Sequence, residues 1–407
     1  MDPDRRRHPV PAILAESGFV AIFVAVCIPG FLVAVPQLPV PDELGFVLFV
    51  TGLLLLVWSI FLATTEGIDR SQEPWIPILA LAISGVLPFV GYDVVYATDN
   101  RNWLITHLAL IAIILSSKFI SFEFIGLILR IGMIASLGTL IGGATALSAD
   151  ERSLFFLDGR LRGIFGHANM TGLVAVATFL LALGSQKLRK TDLMLSAMVI
   201  AAATSLTSLI AAGIGLAAWY VRGRTGKYMV WGVGMISLFI PTVIVQVMGP
   251  KLDSTLFTGR TAAWQWALSL DVPVETGLGI GLFTELGSGK LVPWFHTHNQ
   301  VIMDFVSGGG PLVFTTVVLL GAVGLRAVRA ADGRQLVMWS ILILQCVTEV
   351  PLVLNYPSGA MFSTAIILLL AIGAVKPDGP SNFGDSKFLL KDVNAKPQNR
   401  PSEYRRR

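Results

Sequence analysis

GPKLDSTLFTGRTAAWQWALSLDVPVETGLGIGLFTELGSGKLVPWFHTHNQVIMDFVSGGGP, residues 249–311, is the longest part of this 407-residue chain that cannot sit in hydrocarbon. It carries Arg260 in a Thr-Gly-Arg turn, a glycine-rich bend and a His-Thr-His-Asn cluster. Nearly everything on either side is apolar sequence broken by short polar segments. Hydrophobic residues make up 54% of the chain and charged residues 14%, with a mean hydropathy of +0.71. A soluble protein carries about a quarter charged residues, so in water a chain this apolar would expose large greasy patches. The composition defines an all-α, polytopic membrane protein.

At ~20 apolar residues per crossing, about twelve spans are expected. They fall near 13–36, 45–64, 76–97, 102–117, 125–148, 167–185, 193–204, 209–221, 228–248, 298–325, 335–354 and 358–375. Residues 1–375 then form one membrane domain with a long extracytoplasmic loop at about 249–297. Residues 376–407, polar and rich in Pro, Gly, Asn and Lys, read as a disordered cytoplasmic tail. The segments 193–204 and 209–221 are each short for a span. One long helix there would put the basic clusters Lys187–Lys190 and Arg222–Arg224 on opposite sides, against the positive-inside rule. Two segments meeting at Thr204–Ser208 keep both clusters cytoplasmic, so a broken or re-entrant pair is expected.

With both termini cytoplasmic, most Lys and Arg fall inside, and Arg101, Arg152, Arg160, Arg162, Lys251, Arg260 and Lys290 fall outside. The net charge of +4 is small, and the basic residues bunch at breaks between spans. This is topology rather than a nucleic-acid footprint. Cys27 and Cys346 both lie in apolar runs, which implies neither a disulfide framework nor a metal site. Arg5–Arg7 ahead of an apolar run resembles a signal peptide. The run continues to Pro36 without a small-residue cleavage site, so an uncleaved first span is expected.

Three outer stretches carry residues suited to chemistry. In DERSLFFLDGRLRGIFGHANMTG (150–172), Arg160 and Arg162 precede two glycines, His167 and Asn169 at the start of a span. A helix N-terminus flanked by arginines favours anions; the plain alternative is arginines reaching lipid headgroups. Arg260 opens TAAWQWALSL, read as a short surface helix with Trp264 and Trp266 at the membrane interface. A planar guanidinium there can hold phosphate bidentately. HTHNQVIMDF (296–305) offers His296 and His298 where the loop re-enters the membrane, followed by Asn299. A neutral histidine is the natural base near neutral pH, and a histidine pair without a third ligand argues weakly for metal. GLGIGLF (277–283) lacks the βαβ frame of a nucleotide loop and reads as a bend. Asp93, His107, Glu123, Asp304 and Glu349 lie in apolar segments and must face protein or water; two or three of them read as ties between helices, and none reads as catalytic.

Taken in order, RGIFGHANMTG (162–172), TGRTAAW (258–264), PVETGLGIGLF (273–283) and HTHNQVIMDFVSGGGPLVF (296–314) resemble the superfamily of O-antigen ligases and O-antigen or exopolysaccharide polymerases, membrane glycosyltransferases of the GT-C-like type. The likeness covers most of the chain apart from the tail, and departs from the usual pattern at Ala168 and at Gly308–Pro311. The resemblance implies an undecaprenyl-diphosphate-linked oligosaccharide donor and a glycan or lipid A-core acceptor. It places the reaction on the outer face of the bacterial inner membrane, in exopolysaccharide or O-antigen assembly, and allows a chain-length regulator as a partner. No cofactor or metal is implied. The expected roles are Arg162 and Arg260, with Arg160, on the diphosphate, and His298 as the base, with His296 as second choice. His167, Asn169 and Asn299 are expected to support them. Polymerase and ligase remain alternatives, and a secondary transporter or lipid-carrier flippase is the competing class.

Overall fold

The computed structural model describes residues 9–34, 41–66, 74–87, 101–141, 147–148, 159–184, 190–221, 224–253, 260–279, 297–330, 333–352 and 359–373. Within them the chain is helical apart from a two-residue antiparallel ladder of β1 (Leu147–Ser148) and β2 (Arg160–Leu161). The helices are α1 (Pro9–Ala34), α2 (Asp42–Thr65), α3 (Trp75–Val86), α4 (Arg101–Ser116), α5 (Phe122–Gly138), α6 (Ala168–Gly184) and α7 (Lys190–Ala203). They continue with α8 (Leu206–Tyr220), α9 (Arg224–Ser237), α10 (Ile240–Met248), α11 (Arg260–Ser269), α12 (Gln300–Arg329), α13 (Gly333–Thr348) and α14 (Gly359–Ile372).

Helix occupies part of every segment expected to span. Among the described residues four helices are long and apolar enough to cross a membrane: Pro9–Leu32, Glu43–Thr65, Phe122–Ile141 and Gln300–Arg329. A fifth arises if α9 and α10, bent by 47° at their junction, act as one. Trp75–Val86, Trp103–Phe119, Ala168–Leu183, Leu206–Tyr220 and Met361–Ile372 are apolar but shorter. The tail from 376 and Asp93 lie outside the described residues.

The centre of the bundle is α14, buried all round from Met361 to Ile372 and packed against α1, α6, α12 and α13. A helix apolar on every side must be enclosed, and Phe362 is gripped by Phe19 and Phe23 of α1 with ring centroids 5.0 and 4.9 Å apart. The outward faces are also apolar. Phe46, Trp58 and Phe61 of α2, and Met229, Val233, Ile236, Val243 and Val247 along α9 and α10, are exposed. Exposed apolar area on this scale marks a surface made for lipid or protein rather than water.

Two interruptions position the site. At Thr204, with φ of 43°, the chain turns from α7 into α8. Gly172 near the start of α6 lies against Ser205 and Ser208, and Gly215 lies against Leu180. Hence α8 runs alongside α6 in the same direction, while α7 packs closely on α6 and reaches it from the other end. The chain reverses at Thr204, where a broken or re-entrant pair is expected. Arg130 of α5 ties down the start of α7 through a forked pair with buried Asp192, at 2.6 and 3.0 Å.

The second interruption is in α12, where Gly309 adopts φ of 64°. Pro311 has no N–H for the Ser307 carbonyl, and Gly310 N donates instead to Val274 O at 2.6 Å. The carbonyls so released are taken by the 273–279 bend: Leu278 N to Val306 O at 2.7 Å and Gly279 N to Ser307 O at 3.1 Å. Irregular backbone inside a membrane protein survives where protein satisfies it in this way. A side chain at Gly309 would collide with the Val274 carbonyl, and one at Gly277 with the Ser307–Gly309 backbone. The expected glycine bend is therefore present through Gly279, docked into a broken helix rather than free.

Candidate functional site

The THNQ stretch, 297–300, is held by side chains that each serve a separate purpose. Asn299 caps α12, its side-chain oxygen accepting from Ile302 N at 3.0 Å, while its amide nitrogen donates to Val347 O at 3.2 Å. Capping satisfies an N–H that the first helical turn leaves open. The hydroxyl of Thr297 donates to Asn299 O at 2.8 Å. Gln300 accepts from Leu352 N at 3.0 Å and donates to Asp304 at 2.8 Å. The start of α12 is thereby stapled to the end of α13, and His298 is presented there at φ of 52°. A left-handed conformation costs a non-glycine residue about 1–3 kcal/mol and persists where neighbours over-determine it. Thr204 and His298 are the two non-glycine residues with positive φ among those described, and both lie at this site.

Opposite His298, Glu349 follows the last turn of α13, its N–H donating to Gln345 O at 2.7 Å. The carboxylate is 3% exposed and collects three partners. Oε1 accepts from Arg260 Nη2 at 2.8 Å and from Asn169 Nδ2 at 2.7 Å, and Oε2 lies 3.2 Å from His298 Nδ1. The partners are more open than the acid: the Arg260 side chain is 16% exposed and that of His298 24%. Arg260 Nε is buried and has no hydrogen-bond partner among the described residues. The guanidinium thus keeps donor capacity beyond the one bond to Glu349.

Asn169, in the first turn of α6, extends the network. Its Oδ1 accepts from Arg160 Nη2 at 2.5 Å and from Ser205 Oγ at 2.8 Å. Arg160 also donates through Nε to Ala203 O at 3.2 Å, so both sides of the α7–α8 reversal take part. Ser205 doubles as the cap of α8, accepting from Ser208 N at 3.2 Å. The ring of His167 accepts from Asn169 N at 3.3 Å and lies within electrostatic reach of Glu349, Arg160, His298 and Arg260.

Five of the residues selected from the sequence as site or supporting groups, Arg160, His167, Asn169, Arg260 and His298, therefore meet around one carboxylate, with Asn299 bracing them. Arg162 is placed differently. Its carbonyl accepts from the Thr171 hydroxyl, and its half-buried side chain has no hydrogen bond or ion pair to other described residues. Of the two neighbouring arginines, Arg160 is the one joined to the cluster. His296 lies outside the described residues. Trp264, expected at the membrane interface, is buried with Ala267 against Ile302, Met303 and Val306, because α11 packs on the first turns of α12.

Glu349 is the residue that sequence reasoning passed over as a tie between helices. The signal was present: an acid inside the apolar run around Cys346–Val353 is costly in lipid and points to function by default. What the sequence lacked was the partner list. Chemically, the cluster sets Arg160 and Arg260, with two histidines nearby, against one acid. It combines surplus positive charge for an anion with an imidazole that meets the acid through Nδ1. Comparison with models of known protein families and with curated proteins finds no match to this sequence.

Proposed function

We propose that the chain is a membrane glycosyltransferase that transfers or polymerises undecaprenyl-diphosphate-linked glycan on the outer face of the bacterial inner membrane. In this reading the chain crosses about twelve times, with the 249–297 loop outside and both termini inside. The observation that carries it is the meeting of Arg260 and His298 at one buried acid, with Arg160 joined to that acid through Asn169, from three stretches far apart in the chain. The order of motifs set out above gives the substrate class.

A lipid-linked diphosphate is a dense anion that departs as a stable leaving group. Such a group needs charge neutralisation more than a proton. Arg260, with Arg160 linked to the same carboxylate through Asn169 and Arg162 two residues further along the chain, supplies fixed donors toward the charge that develops on the phosphate. The acceptor hydroxyl oxygen bonds to the anomeric carbon as the carbon–oxygen bond to the diphosphate breaks. The bonding pair leaves with the diphosphate, and the hydroxyl proton passes to His298. The displacement is single and inverts the anomeric centre.

The test is transfer by purified protein in detergent, using defined lipid-diphosphate oligosaccharides with glycan and lipid A-core acceptors, with and without EDTA. Elongated lipid-linked product marks a polymerase, and product on lipid A core marks a ligase. Transport is the competing reading, favoured by the interrupted helices at Thr204 and Gly309. Chemistry in detergent, where no compartment exists, excludes pure transport, and absence of product with every pair refutes the transferase reading.

A further inference from the structure

Glu349 lies at the middle of the cluster, yet the reaction as written gives it no task. We propose that Glu349 is the positioning residue of this site: its carboxylate pins His298 in the Nδ1–H tautomer, leaves Nε2 as the nitrogen that receives the acceptor proton, and ties the imidazole to Arg260. The inference rests on the transferase reading, but its central claim concerns the ring alone.

Arg260 and Asn169 both donate to Oε1, and their bonds are short, at 2.8 and 2.7 Å. A carboxylate engaged in this way only accepts. Its remaining oxygen, Oε2, stands 3.2 Å from His298 Nδ1, so the proton of a neutral ring must be on Nδ1. The other tautomer would set two lone pairs against each other. A neutral imidazole has one N–H, so with Nδ1 protonated Nε2 is the acceptor, which is what a base needs. The left-handed backbone at His298 and the staples from Asn299 to Val347 and from Leu352 to Gln300 hold ring and acid in register. Because one carboxylate serves both residues, any shift of Glu349 moves the phosphate-binding arginine and the base together.

Glu349→Gln is a sharp probe because it keeps the shape and reverses one bond. Arg260 and Asn169 both require an acceptor, so the amide oxygen of the glutamine must face them and its NH₂ must face Nδ1. The ring then switches to the Nε2–H tautomer and presents a donor where the acceptor hydroxyl needs a base. In ¹⁵N-histidine-labelled full-length protein in lipid nanodiscs, NMR nitrogen shifts report which ring nitrogen carries the proton. His298 is identified by the signals lost in His298→Gln.

The expected result is Nδ1–H in the wild type, Nε2–H in Glu349→Gln, and a fall in kcat of about 10²-fold or more with donor KM little changed. A wild-type ring protonated on Nε2, or a Glu349→Gln protein with wild-type kcat, overturns the proposal. If Glu349→Gln does not assemble, the wild-type tautomer still decides. The spectrum needs no substrate, so Nδ1–H in a protein that transfers nothing refutes the transferase reading while leaving the acid–imidazole assignment in place.

Discussion

Asn169 offers the most direct measure of how the site is held together. Its side chain spends both ends of its amide: Oδ1 takes Arg160 Nη2 at 2.5 Å and Ser205 Oγ at 2.8 Å, and Nδ2 gives to Glu349 at 2.7 Å. Asn169→Ala removes all three bonds from a buried position. Two of them involve charged groups, worth about 1.5–3 kcal/mol each, and the third is worth about 1 kcal/mol. Arg160 retains Ala203 O and Glu349 retains Arg260, so the charges are not stranded and the lower figures apply. The expected loss is about 4 kcal/mol, a large part of the 5–15 kcal/mol that holds a typical fold together. Urea or SDS titration of the purified protein in detergent, read by tryptophan fluorescence, measures it. A loss under about 1 kcal/mol would refute the network, because three made bonds cannot cost so little to delete. Asn169→Asp sharpens the test. It puts a carboxylate oxygen about 2.7 Å from Glu349 Oε1, where two charges repel by about 6 kcal/mol at an effective dielectric of 20. Its destabilisation should shrink as pH falls, when one shared proton replaces the lost N–H.

Three further outcomes are expected. Arg260→Lys keeps the charge beside Glu349 but loses the guanidinium fork, so steady-state kcat/KM for the lipid-diphosphate donor should fall about 10- to 100-fold; near-normal turnover would remove Arg260 from the phosphate clamp. Gly309→Ala meets both a positive φ and the Val274 carbonyl, so it should cost about 3 kcal/mol or more and open the 273–279 bend to protease; wild-type stability and resistance would show that the bend is not docked. Thr204→Gly relieves a left-handed β-branched residue and deletes a buried hydroxyl that has no partner among the described residues. It should raise stability by about 1 kcal/mol in the same titration, and a loss would mean that the hydroxyl is satisfied in the membrane.

How far the site can be read from the chain differs residue by residue. Arg160, Arg260 and His298 stand out because charged and titratable side chains are conspicuous among apolar spans. Choosing between Arg160 and Arg162 is another matter. They are two residues apart, both follow the same pattern, and only the pairing of Arg160 with Asn169 and Ala203 separates them. Trp264 shows the same limit: a tryptophan facing lipid headgroups and one buried against α12 have the same local sequence. The Thr204 break, by contrast, was legible from charge, because keeping the basic clusters of 187–190 and 222–224 on one side of a membrane calls for a turn between them.

Composition and hydropathy are sums over single residues, so they settle the helical class, the apolar exterior and the rough position of each segment with no reference to contacts. The role of Glu349 is a property of pairs. Asn169, Arg260 and His298 are brought to it by four helices, α6, α11, α12 and α13, whose mutual arrangement no local pattern encodes. The same holds at Gly309, where the broken helix is tolerable only because a bend some thirty residues earlier supplies the missing donors. A carboxylate buried in an apolar segment announces that it must have partners, and the fold alone selects which.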